Sequence, residues 1–221
     1  MTTTHVDVHG LEKPLLRGRI HALAFFLALP AGVVLVTTAT DTSARTGAAV
    51  YALSLVALLG ASSAYHRFGR EGRAQRVLRR LDHSSIYLLI AGSYTPLCLL
   101  ALPGWWGTSL LIGVWTAAIV GVVLKLARFD SSHTIGFVLY LAMGWAVIVA
   151  GPALLSALSP WTLGLLAAGG VVYSLGAAVL ATRFPNPFPR VFGYHEVWHL
   201  MVVIAAVLHY IAIYGVVTEV A

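Results

Sequence analysis

Charged residues are scarce in this sequence, and cysteine is almost absent. Asp, Glu, Lys and Arg make up 10% of the 221 residues, whereas hydrophobic residues make up 59% and the mean hydropathy is +0.86. A water-soluble domain normally carries about 25% charged residues. The composition therefore excludes an ordinary soluble enzyme and indicates an integral membrane protein.

The one cysteine, Cys98, lies inside an apolar run. A single thiol excludes a disulfide framework and a cysteine-based metal site. The net charge of +6 would suit a nucleic-acid-binding protein, but the basic residues lie in the connections between apolar runs. Membrane topology explains this placement better, so we do not expect nucleic acid as a partner.

Seven apolar segments are each close to the ~20 residues that a membrane-spanning helix requires. They cover residues 20–39, 46–66, 81–102, 107–127, 134–155, 161–182 and 195–217. The connections are short, and we find no linker or internal repeat. The sequence predicts an all-α protein, a seven-helix transmembrane bundle that forms one domain over residues 19–221 after a polar tail over residues 1–18.

The positive residues are distributed unevenly between the two sides of this bundle. With seven spans, the N-terminus shares one side with the second, fourth and sixth connections, and that side carries every Lys and Arg except Arg45. The positive-inside rule then predicts a cytoplasmic N-terminus and an extracytoplasmic C-terminus in the plasma membrane. The second connection is also suited to attract anionic lipid headgroups, through Arg67, Arg70, Arg73, Arg76, Arg79 and Arg80.

Polar residues stand at the predicted cytoplasmic ends of three apolar segments. His195 and His199 open the last segment, one helical turn apart and therefore on one face. The second segment ends in SSAYHR, which places Ser62 and His66 on a single face, and the third opens with LDHSS, which contains Asp82. Such residues are costly inside a membrane unless they are paired or functional.

Three neutral imidazoles with one open position form a known catalytic zinc arrangement, in which the metal lowers the pKa of a bound water to about 7. We therefore predict that His66, His195 and His199 bind Zn²⁺. Asp82 would hold the water and accept its proton, or act as a further ligand. Ser62 would donate a hydrogen bond to the water or to the developing oxyanion.

Each of these residues also has an ordinary structural explanation. An intramembrane histidine commonly packs or bonds to a neighbouring helix, a salt bridge to Arg79 or Arg80 would explain Asp82, and Ser62 would suit close helix packing. The meeting of polar groups from three segments at one end favours the metal site.

The remaining histidines have ordinary explanations too. His21 and His133 are expected at the membrane interface, and His83 is expected to point away from Asp82. His209 lies about 15 Å along the helix from His199 and should bond to a neighbouring helix. His5 and His9 fall in the polar tail.

The chain resembles the hemolysin III family, the bacterial branch of the progestin and adipoQ receptor proteins. The resemblance rests on KPLLRGRIHALAF (13–25), SSAYHRF (62–68), LDHSSIYLLIAGSYTPL (81–97) and HEVWHLMVVIAAVLHYIAIYG (195–215). It implies that His66, His195 and His199 ligate zinc while Asp82 and Ser62 hold the zinc-bound water. Because the superfamily includes alkaline ceramidases, it also implies a hydrolase of a lipid amide or ester with a role in lipid homeostasis.

The segment HEVWH also matches the H-E-x-x-H pattern of zinc proteases, in which Glu196 would be the general base. The only downstream acid, Glu219, is about 30 Å from His199 along a helix, so the usual third ligand is missing. Glu196 points about 100° away from His195 and is expected to face the interface. A protease is therefore the weaker interpretation.

Two further classes stay open beside the lipid hydrolase. The first is a receptor or regulator of membrane lipid state in which zinc is structural. The second is a cytolysin, which the family name suggests, although a chain that is hydrophobic throughout provides no soluble form that could insert. The sequence does not fix the lipid substrate or the oligomeric state.

Overall fold

The computed structural model describes residues 14–69, 72–102, 104–127 and 133–220, without the side chains of residues 133–135 and 220. Its regular elements are helices, and one isolated bridge joins Phe188 and Phe192. The α-helices are α1 (Arg19–Thr38), α2 (Thr42–Phe68), α3 (Arg73–Pro96), α4 (Gly104–Ala127), α5 (His133–Trp145), α6 (Gly151–Ala157), α7 (Pro160–Thr182) and α8 (Tyr194–Gly215). Outside the described residues lie His5, His9, Lys13, Arg70, Arg128 and the side chain of His133.

Seven helical segments of the described chain are long and apolar enough to cross a membrane. This confirms the predicted seven-helix bundle. The fifth span is composite, because α5 continues through a 3₁₀ turn (Ala146–Ala150) into α6. Consequently α7 is the sixth span and α8 is the seventh.

The helices α2 and α7 each begin with a side-chain cap. The Asp41 carboxylate accepts hydrogen bonds from the backbone N–H groups of Ser43 (2.6 Å) and Ala44 (3.0 Å) and so begins α2. Ser159 accepts from the N–H of Thr162 (3.2 Å), and Pro160 occupies the first position of α7, where its missing N–H has no helical partner to lose.

The break in the fifth span is stabilised by one tyrosine from α3. The Tyr94 hydroxyl donates to the Met143 carbonyl (2.8 Å), and the N–H of Val147 donates to the Tyr94 oxygen (2.7 Å). Backbone groups released from the regular helical pattern are therefore satisfied inside the bundle, as a lipid surrounding requires.

The arginine-rich connection is shorter than the sequence predicted. We expected the third span to begin at residue 81, but α3 begins at Arg73, two turns earlier. These turns carry Arg73, Arg76, Arg79 and Arg80, whose long side chains can extend from a helix into a polar surrounding. Hydropathy alone does not detect such a polar extension.

The spans close into a ring. Neighbours along the chain pack on one another, and α1 completes the ring by packing against both α2 and α8. One buried apolar cluster lies between α1, α2 and α8, and a second lies between α3, α4 and the fifth span. The contact of α1 with α8 brings the first and last spans together at the end of the bundle that carries the N-terminal segment, which we call the arginine-rich end.

Candidate metal centre

Three histidines from two spans meet at the arginine-rich end. His66 lies in the last turn of α2, and His195 and His199 lie in the first two turns of α8. The Nε2 atoms of His66 and His195 are 3.2 Å apart, and one ring nitrogen from each of the three residues falls within a set spanning at most 4.8 Å. The ring planes are inclined by 63–73° to one another. One nitrogen from each ring is therefore close enough to the others for the three residues to share one ion.

Two features indicate whether a metal ion fits the cluster. They are the distances between the ring nitrogens and the buried nitrogens that lack a hydrogen-bond partner. Tetrahedral zinc with bonds of about 2.0–2.1 Å holds its ligand nitrogens about 3.3 Å apart, close to the distance between His66 and His195. Both ring nitrogens of His199 are buried and have no hydrogen-bond partner among the described residues. A buried imidazole without a partner is unfavourable, and a metal ion would satisfy it. The three residues could hold a metal ion.

The cluster stands at the wall of a large cavity. The cavity has a volume of about 1680 Å³ and is lined by His66 and His195, whereas His199 lies behind them. Its arginine-rich mouth is lined by Arg17, Arg19, Arg67, Arg79, Arg183 and Arg190. Its far end reaches His209, about 21 Å from His195 at the rise of an α-helix. A single leaflet of the hydrocarbon core is about 15 Å thick, so the cavity is long enough for an acyl chain.

Asp82 and Ser62 line the same cavity and are both buried. Ser62 of α2 and Asp82 of α3 therefore border the same space as His66. Asp82 also lies 3.6 Å from Nδ1 of His83. We expected His83 to point away from Asp82, and this expectation was wrong. The side chain of His83 turns back along the helix, so that its ring approaches Asp82. Its Nδ1 also lies 2.9 Å from the Arg79 carbonyl oxygen.

Glu196 was expected to face the interface, and that expectation was also wrong. Its side chain is fully buried, with one carboxylate oxygen accepting from Nε of Arg17 at 2.5 Å. The other oxygen accepts from the Gly193 N–H at 2.9 Å and so caps the start of α8. Both carboxylate oxygens thus accept hydrogen bonds from other groups of the protein, which argues against Glu196 as the general base of a protease.

Of the other histidines, His209 lies where the sequence predicted and His21 does not. Nε2 of His209 donates a hydrogen bond to the Leu166 carbonyl of α7 at 3.2 Å, which confirms the predicted bond to a neighbouring helix. His21 is buried rather than interfacial, because α1 packs on α8, and its ring stacks on that of His199. A lone histidine near a helix end has no periodic sequence signal that would have identified this contact.

Comparisons with known proteins identify a matching family and several relatives of this chain. The model of the family described as "Haemolysin-III related" matches residues 9–210, a range that contains the three clustered histidines, Asp82 and Ser62. The chain is similar to Hemolysin-3 of Bacillus cereus, with 36% identity over 82% of this chain and 81% of that protein. It is also similar to the Hemolysin-3 homolog of Bacillus subtilis (strain 168), with 32% identity over 82% of this chain and 84% of the relative. A more distant relative is the Monocyte to macrophage differentiation factor of Homo sapiens, with 28% identity over 88% of this chain and 80% of that protein.

Proposed function

Because the chain belongs to the Haemolysin-III-related family of multi-pass membrane proteins, we propose that it is a zinc-dependent hydrolase of an acyl lipid. It would reside in the plasma membrane with its N-terminus in the cytoplasm and cleave a lipid amide or ester at the cytoplasmic side. The observation that carries the proposal is the meeting of His66, His195 and His199 at a cavity that Asp82 and Ser62 also line.

Each residue of the candidate site would have its own role in hydrolysis. His66, His195 and His199 would hold Zn²⁺, which lowers the pKa of a bound water to about 7 and polarises a carbonyl. Asp82 accepts the proton of the attacking water and passes it to the leaving amine or alcohol. The Ser62 hydroxyl would donate a hydrogen bond to the Asp82 carboxylate or to the water and so hold them in place. The products are a fatty acid and the deacylated lipid, which carries the amine or alcohol that the acyl bond held.

The cavity accounts for the substrate class. Its arginine-lined mouth suits a phosphate or another anionic headgroup, as basic residues near a membrane surface attract anionic lipids. Its deeper part, toward Trp145 and Tyr173, would receive the acyl chain. Of the arginines that the sequence suggested for this role, Arg67 and Arg79 line the cavity among the described residues.

Metal analysis tests the first half of the proposal. The purified wild type should carry about one zinc ion per chain, and the His195→Ala, His199→Ala double variant should carry far less, because two of three ligands are removed. His209→Ala is the matched control, since it removes a half-buried histidine of the same helix that lies outside the cluster. Equal zinc in wild type and double variant would contradict the assignment.

Fatty acid release from ceramides, phospholipids and lysolipids tests the second half. Asp82→Asn should lower turnover about 10²- to 10⁴-fold because the general base is lost. Glu196→Gln should keep activity within about tenfold, provided that the protein remains folded. Loss of activity with Glu196→Gln alone would favour a protease-like role for Glu196 and overturn the role of Asp82.

A receptor or regulator with structural zinc is the second candidate. It is favoured by the burial of His199 behind the cavity wall and by the position of the cluster between α2 and α8, which a metal would join. In that case chelation would lower the melting temperature, and no acyl lipid would be cleaved by protein with verified zinc content.

A further inference from the structure

One arginine at the mouth of the cavity differs from most of the others. Arg17 is half-buried, with 15% of its side chain exposed, and its Nε donates to a carboxylate oxygen of the fully buried Glu196 at 2.5 Å. An arginine in such a pair is held in one orientation by its planar guanidinium group. The exposed arginines of the mouth are Arg19, Arg67, Arg183 and Arg190.

The Glu196 carboxylate is itself fixed from its other side. Its second oxygen accepts from the Gly193 N–H at 2.9 Å, at the start of α8. The backbone before Arg17 is attached to the same region, since the Leu16 N–H donates to the Val191 carbonyl at 3.2 Å. Both the backbone and the side chain therefore fix Arg17 to the start of α8.

This attachment places Arg17 beside the histidine cluster. Its partner Glu196 directly follows His195 in the chain. The next residue after Arg17 is Gly18, which packs on α2, where an added Cβ would lie 2.7 Å from the His66 Cβ. Arg17, His66 and His195 line the same cavity. Arg17 is thus the point at which the basic mouth of the cavity adjoins the cluster.

The guanidinium group has more donors than its ion pair uses. An arginine carries five N–H donors in a planar fork, of which one is on Nε and four are on the two Nη atoms. Glu196 accepts from Nε, so the Nη groups are the part of the fork that suits a ligand. The fork matches two oxygens of a carboxylate or phosphate. Because Glu196 offsets the charge of Arg17, oriented hydrogen bonds rather than net charge would give such an interaction its strength.

We propose that Arg17 is a specificity-determining residue that donates hydrogen bonds from its Nη groups to the anionic oxygens of an acyl lipid in the cavity, and that Glu196 positions it. The cavity would then favour acyl lipids that carry a carboxylate or phosphate at the polar end over neutral ones. The choice of an acyl lipid rests on the proposed function, but the selection for negative charge does not require hydrolysis. The acidic residue of HEVWH is thereby assigned the role of holding an arginine.

The test compares Glu196→Gln with the Arg17→Gln, Glu196→Gln double variant. Both lack the carboxylate, so no buried negative charge is left without its partner, and they differ in Arg17 alone. Three probes share an oleoyl chain: oleate carries a carboxylate, oleoyl lysophosphatidate carries a phosphate, and monooleoylglycerol is uncharged. Kd values are measured by titration in a fixed detergent at constant ionic strength.

Removal of Arg17 should raise the Kd for at least one anionic probe about tenfold or more, which corresponds to about 1.4 kcal/mol. The Kd for monooleoylglycerol should change less than about threefold, because an uncharged polar end does not use the fork. Glu196→Gln should keep the preference of the wild type for the anionic probes, since the glutamine oxygen can still accept from Nε of Arg17.

Arg76→Gln in the Glu196→Gln background is the matched control. Arg76 is an exposed arginine of α3 at the same end of the bundle, and it is not among the described residues that line the cavity. Its replacement removes the same charge and should change all three Kd values less than about threefold, as expected for a screened surface charge. If the double variant is not monodisperse, Arg17→Lys takes its place. It keeps the positive charge but lacks the fork, and should weaken binding of an anionic probe at least about threefold.

The two anionic probes distinguish the sources of negative charge. A loss confined to oleate would identify a carboxylate as the bound group, and a loss confined to lysophosphatidate would identify a phosphate. Unchanged Kd values for both would leave Arg17 as a structural partner of Glu196 and overturn the proposal. An equal loss for monooleoylglycerol would also overturn it, since the shape of the cavity rather than charge would then be affected. Selection for charge that depends on Arg17, in a wild type that cleaves no acyl lipid, would keep this role while the hydrolase proposal failed.

Discussion

Gly18 shows how a single backbone position supports the candidate metal centre. Its φ of +74° is in the left-handed region, which glycine adopts without steric cost. Its Cα also packs so closely on His66 that a side chain there would contact that residue at 2.7 Å. Both requirements, a positive φ and a close approach, select glycine at the start of α1.

We predict that Gly18→Ala lowers both stability and zinc affinity. The positive φ alone should cost about 1–3 kcal/mol, and displacement of His66 should weaken zinc binding about tenfold, as for other residues that orient a metal ligand. Thermal unfolding and a zinc titration measure the two effects.

Gly72→Ala is the control for this prediction. Gly72 also has a positive φ, +94°, but an added Cβ would meet nothing within 4 Å. Its replacement should cost stability without changing zinc affinity. Equal zinc affinities in the two variants would show that the contact of Gly18 with His66 is not needed for the site.

The sequence predicted which site residues share a helical face when they lie one helical turn apart. His195 and His199, and likewise Ser62 and His66, are four residues apart in apolar segments, so one helical face could be predicted for each pair. The stacking of His21 and the pairing of Arg17 with Glu196 could not be predicted. These contacts depend on the approach of α1 to α8, for which a local pattern carries no signal.

At the level of elements, α2 and α3 approach each other closely at Gly92. A Cβ at this position would lie 2.7 Å from the Cβ of Ser54 and still closer to its hydroxyl, which already donates to the Tyr51 carbonyl at 2.8 Å. Small residues at such contacts allow membrane helices to pack with their backbones near one another. This packing holds together α2 and α3, the helices that carry His66 and Asp82.

We predict that Gly92→Ala destabilises the bundle by about 1–3 kcal/mol, the usual cost of overpacking. It should also lower any hydrolytic activity more than zinc content, since all three clustered histidines lie outside α3. Thermal unfolding, zinc analysis and fatty acid release together measure the effect. Gly113→Ala on α4, where an added Cβ meets nothing within 4 Å, should leave all three unchanged. A destabilisation equal to that of Gly92→Ala would contradict a specific role for the α2–α3 contact.

Hydropathy predicted the number of spans and most of their limits, but it did not predict two features of the elements. The early start of α3 at Arg73 is a polar helical extension, which an apolar window does not include. The 3₁₀ turn after Trp145 is stabilised by Tyr94 from a distant part of the chain. Both features arise from the surroundings of a segment rather than from its own apolar content.

At the level of the whole molecule, the uneven distribution of basic residues predicts an orientation. We expect that alkaline phosphatase fused after the last residue is active, because the enzyme folds outside the cytoplasm, and that green fluorescent protein fused there is dark. Fusions in the 183–193 connection should give the opposite result. An active phosphatase in that connection would reverse the predicted orientation and place the candidate site on the outer side.

The candidate ligands are made at different times during synthesis, because His195 follows His66 by 129 positions in the chain. The second span has left the ribosome long before the last one is made, and a chain arrested ahead of residue 195 presents one imidazole of the three. Metal capture by the cluster can therefore happen only late, once translation is nearly finished and the last span has entered the bilayer. Zinc uptake would then report that insertion is complete.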